Sequence, residues 1–177
     1  MAVKIIANII FIVCLTAIQI SFISGLPGAF GDFNLILVVL VFILGFASFN
    51  LALWWAVGAG LMLEAVYFFP FGSQLISLGL TVVIANFLLN YFFTNRSLYS
   101  FLALVALATV AHKLVINFIV LLFNQTSPPL FIFSSDFWVL LFEQMILNLL
   151  VTVFIYYLIH FFSRNLKPVF LIKSKKY

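Results

Sequence analysis

Four side chains able to carry charge lie well inside long apolar runs: Glu64, Lys113, Glu143 and His160, with His112 adjoining Lys113. A carboxylate and an ammonium that face each other away from water form a buried ion pair, and a carboxyl left over is driven toward its protonated form. A lone charge at the centre of a membrane helix costs about 2.5–3.5 kcal/mol, so such residues turn inward and find partners. On the helices predicted below, Glu64 sits roughly 9 Å inside the outer end of the third and Glu143 about as deep in the sixth, while Lys113 is roughly 15 Å inside the fifth. The three are expected to meet in the outer half of a bundle if their helices are neighbours.

Catalytic signatures are missing from the sequence. There is no Gly-x-Ser-x-Gly, no His-Glu-x-x-His, no paired-cysteine site and no phosphate-cradling glycine loop. His112 and His160 fall on different predicted helices without metal-ligand spacing. Neither an enzyme nor a cofactor is expected. Nucleic acid is excluded as a partner, because the only basic cluster is a short tail.

The elements that position these residues follow from composition. Of 177 residues, 67% are hydrophobic and 7% are charged, and the mean hydropathy is +1.34. A soluble domain cannot hide that much apolar surface, so the first partner of these side chains is membrane lipid. Runs such as "LILVVLVFIL" are apolar on every side, unlike the alternating strands of a membrane barrel. The expected fold is all-α: a polytopic bundle of about six transmembrane helices in one domain, residues 1–163, followed by a basic cytoplasmic tail, 164–177. The spans are predicted at roughly 5–24, 33–49, 52–69, 73–94, 98–123 and 137–163. The first is too long for a signal-peptide core and is read as a retained span. Cys14 is the single cysteine and forms no intrachain disulfide.

Orientation follows from the basic residues. With six spans, Lys4, Arg96, Arg164, Lys167, Lys173, Lys175 and Lys176 share one face, while Asp32 and Asp136 fall on the other. Positive charge favours the cytoplasm, so both termini are expected inside. The tail reads first as a topology anchor touching anionic lipid.

Polar residues also recur at helical spacing. Gln144, Asn148, Thr152, Tyr156 and His160 form one stripe, and Thr109, Lys113 and Asn117 another. In a membrane such stripes mark helix–helix contacts held by hydrogen bonds of roughly 0.5–2 kcal/mol each. A lined cavity or a binding face for another membrane protein is the functional counterpart.

Gly60-Leu61-Met62-Leu63-Glu64, followed by Pro70-Phe71-Gly72, resembles the hallmark of the bacterial rod shape-determining protein MreD family. There a Gly-Leu-x-x-Asp on the third helix precedes a short turn containing Leu-Gly or Phe-Gly. Glu64 stands where that family usually has Asp. The resemblance spans roughly residues 34 to 120. It implies a non-enzymatic component of the cell-elongation machinery in the bacterial cytoplasmic (inner) membrane, coupling the cytoskeleton to peptidoglycan synthesis. The partners it implies are MreC, RodA, a class B penicillin-binding protein and the MreB filament. A second outline is similar: the six-helix substrate-binding S subunit of energy-coupling-factor transporters, which holds a small molecule near the outer face. Those subunits dock through an Ala-x-x-x-Ala face on the first helix, whereas Ala7 and Ala17 stand isolated here.

Overall fold

The structure, a computed structural model, describes residues 2–27, 30–31, 33–67, 70–93, 97–123 and 135–170, with the backbone alone for residues 2, 4 and 162–170. Asp32, Arg96, Lys173, Lys175 and Lys176 lie outside the described residues, as do the side chains of Lys4, Arg164 and Lys167.

The fold is all-α, with six helices among the described residues: α1 (Ala2–Ile18), α2 (Leu35–Phe46), α3 (Phe49–Glu64), α4 (Ser73–Tyr91), α5 (Leu98–Phe123) and α6 (Ser135–Phe170). A π-helical turn, Gln19–Ile23, prolongs α1. Among the described residues four segments are long and apolar enough to cross a membrane: Ile5–Ile23, Ser73–Tyr91, Leu98–Phe123 and Ser135–Phe161. The chain is a multi-pass membrane protein.

The expected second and third spans are shorter than predicted. α2 has 12 residues and α3 has 16, which is roughly 18 and 24 Å of helix. Their starts are set by caps that hydropathy does not register. Asn34 accepts from the Leu37 amide at 3.0 Å to start α2, and Ser48 accepts from the Leu51 amide at 3.4 Å to start α3. Starting at Phe49, α3 ends at Glu64. The carboxylate therefore stands at the helix terminus, not a turn and a half inside it. At the other end of the chain, α6 continues past the predicted residue 163 to Phe170.

Why a short helix is tolerated follows from where it lies. α2 touches all five other helices, and Ile36, Leu37, Val38, Leu40, Val41, Phe42 and Leu44 are buried. A helix wrapped in protein need not match the bilayer, because its ends are satisfied by neighbouring side chains instead of water. Phe101 of α5 stacks on Phe42 with centroids 4.9 Å apart, and it lies where a β-carbon at Gly45 would come within 2.5 Å of its ring. The glycine makes room for the ring. α1 is the opposite case: much of its surface, including Ile5, Ile9, Ile10, Phe11 and Ile18, is exposed on the outside of the bundle.

Candidate functional site

Between α3 and α4 the chain reverses through a turn that uses four residues of the motif, Gly60, Glu64, Pro70 and Gly72. A β-carbon on Gly60 would stand 2.7 Å from the Leu75 Cα, so the two backbones approach as only a glycine allows. The Pro70 carbonyl accepts from both the amide and the hydroxyl of Ser73. Gly72 takes φ of 94°, a left-handed conformation that favours glycine. Glu64 closes the unit: its carboxylate accepts from the Gln74 amide at 3.1 Å and the Leu75 amide at 3.3 Å. It thus supplies negative charge to the positive start of α4.

The expected meeting of Glu64, Lys113 and Glu143 is not what the structure shows. Backbone amides, not Lys113, take up the Glu64 carboxylate. Glu143 is half-buried on α6, and no ion pair joins it or Glu64 to Lys113 among the described residues. His160 is exposed, its ring stacked on Tyr156 at 6.4 Å. Asn117 donates to the carbonyl of Lys113 on its own helix at 2.8 Å and forms no bond to another helix among the described residues.

Asn148 does join helices. Its Nδ2 donates to Thr109 of α5 at 2.9 Å, and its Oδ1 accepts from the Asn34 amide at 3.1 Å. All of Asn148, Thr109 and Thr152 are buried. Thr109 and Asn148 lie near the middle of helices that are 26 and 36 residues long, so α2 begins at about half the height of its tall neighbours. Gln19, in the π-turn, fastens that start: its Nε2 donates to the Phe33 carbonyl at 2.7 Å and its Oε1 accepts from the Leu35 amide at 2.8 Å. π-turns are rare and recur at functional positions.

The half-height start of α2 leaves a hollow above it. This cavity, about 440 Å³, is lined by Gln19, Asn34 and Phe33 at its floor, Leu63, Tyr67 and Gln74 from the α3–α4 turn, His112, Lys113 and Ile116 from α5, and Gln144 from α6. Ser24, Leu26 and Gly31 form the rim, where the Ser24 hydroxyl lies 3.1 Å from the Tyr67 hydroxyl. His112 and Gln144 are 5% and 6% exposed. His112 Nε2 lies 3.4 Å from the Ser77 hydroxyl, whereas its Nδ1 and the Gln144 Oε1 are buried without a hydrogen-bond partner. Among the described lining residues, Lys113 alone carries a formal charge. No group of three His, Cys, Asp or Glu gathers as metal ligands would among the described residues.

Sequence reasoning found Lys113 and Gln144 but missed Gln19, Asn34 and Gln74. The signal was present for the first two: Gln19 is an amide inside an apolar span, and Asn34 is a capping residue directly before an apolar run.

A second concavity lies between α1 and α3. It is an apolar groove of about 640 Å³ lined by Ile5, Asn8, Ile9, Ile12, Leu51, Trp54, Trp55, Val57, Gly58 and Leu61.

Compared with known proteins, the chain matches no family model, no curated protein and no solved structure.

Proposed function

We propose that the chain is a non-enzymatic scaffold of a bacterial cell-elongation machinery, seated in the cytoplasmic membrane with both ends in the cytoplasm. The observation that carries this reading is the α3–α4 turn, in which the motif residues Gly60, Glu64, Pro70 and Gly72 act as one unit. Glutamate in place of the family's aspartate fits that role, since its side chain reaches from the last residue of α3 to the amides of Gln74 and Leu75. Exposed apolar side chains along α1 and the groove beside α3 support assembly with other membrane proteins. Six passes return the chain to its starting side, and the basic residues then share the cytoplasmic face. The partners on this reading are MreC, RodA, a class B penicillin-binding protein and the MreB filament.

Depleting the tagged protein in its native host tests the reading. Cells should round, and elongation proteins should co-purify. Unchanged shape with none of those proteins in the eluate would refute it.

A second reading has its own supporting observation. The polar cavity of about 440 Å³ suits a substrate-binding subunit of an energy-coupling-factor-type transporter. Co-purification of an ATPase pair with normal cell shape is the result this reading expects.

A further inference from the structure

The geometry points to the cavity above α2 as a binding site for a small organic anion, a phosphate- or carboxylate-bearing molecule held against Lys113. The inference rests on the cavity itself and on neither reading of the chain's cellular role.

Three features converge. The hollow, about 440 Å³, has the size of pockets that enclose small molecules. Among the described residues its charge is positive and uncompensated: Lys113 is half-buried, no described lining residue is acidic, and no ion pair reaches it. The floor adds to this, because the start of α2 carries no acid in its first turn and the positive end of a helix attracts anions. Finally, His112 and Gln144, 5% and 6% exposed, are lining residues that each hold one buried polar atom without a partner, His112 Nδ1 and Gln144 Oε1. Buried polar groups are nearly always bonded, so a turn of either side chain toward the hollow would give these atoms a partner in a ligand's own groups.

Those atoms also shape the ligand. Lys113 takes the anionic oxygens, and an amide oxygen accepts only from a donor, so the molecule carries a hydroxyl or amine beside its charge. Free solutes and lipid headgroups of the glycerol phosphate type both satisfy this description.

Reconstitution of the full chain into nanodiscs of phosphatidylcholine tests the site, with the thermal unfolding midpoint as readout. Glycerol 3-phosphate or glycerate, added free, should raise the midpoint, whereas glycerol should not. Phosphatidic acid in the disc should do so instead if the source is a headgroup. Lys113→Met should weaken the response roughly ten-fold, the loss of one charge-assisted contact, and Lys113→Arg should retain most of it. Gln144→Leu, which leaves the charge in place, is the second variant should Lys113→Met fail to fold, and it too should weaken the response. The proposal is overturned if no anion shifts the midpoint, or if Lys113→Met or Gln144→Leu responds like the wild type. A response appearing only in Asp32→Asn would also overturn it, by identifying Asp32 as the native partner of Lys113.

Discussion

The start of α4 receives a carboxylate from within the chain, whereas the start of α2 receives only amides. Glu64 lies against the Gln74 and Leu75 amides. Gln19, Asn34 and Asn148 satisfy the α2 backbone without bringing any charge. Both solutions meet the requirement that a helix end inside a membrane be hydrogen-bonded. They differ in what remains. Around α4 the helix end and its counter-charge balance, which makes the turn a structural unit. Beside α2 the field of the helix end and the ammonium of Lys113 add, which leaves a site that attracts an anion.

Substitutions that disturb the self-contained start should have the largest effects. Gly60→Ala places a methyl group against the Leu75 backbone, where no side-chain rotation relieves it. It should cost about 3 kcal/mol of unfolding free energy in mixed micelles, the upper range for overpacking. Glu64→Ala removes the capping carboxylate and should cost about 2 kcal/mol in the same measurement, with Glu64→Gln losing less. At the other start, Asn148→Leu breaks bonds to the Asn34 amide and to Thr109. Membrane hydrogen bonds are individually weak, so about 1 kcal/mol is expected there. Lys113→Met should leave the ligand-free protein within about 0.5 kcal/mol of wild type, since it removes a charge that has no ion-pair partner among the described residues. A loss of several kcal/mol at Lys113 would restore the ion-pair expectation and break the contrast between the two starts.

The all-α membrane bundle was legible from composition, and so was α5, expected over residues 98–123 and found at Leu98–Phe123. Its ends are marked by polar breakers, and apolar residues fill the interval. α2 and α3 were overdrawn because hydropathy measures how greasy a segment is, not whether lipid or protein surrounds it. The role of Glu64 was illegible for a related reason. Its partners are backbone amides ten and eleven residues away, and amides have no letter in a sequence. The motif fixed the turn, since proline and glycine act locally. The cavity depended on where α2 starts, which only the cap at Asn34 could have announced.

The contrast between the two starts is tested most directly by one set of melting curves, recorded with and without glycerol 3-phosphate, glycerate or disc-borne phosphatidic acid, for wild type, Glu64→Gln and Lys113→Met. Glu64→Gln should lower the basal midpoint yet keep the anion-induced rise, while Lys113→Met should keep the basal midpoint and lose the rise. An anion response lost with Glu64 and retained without Lys113 would contradict the account.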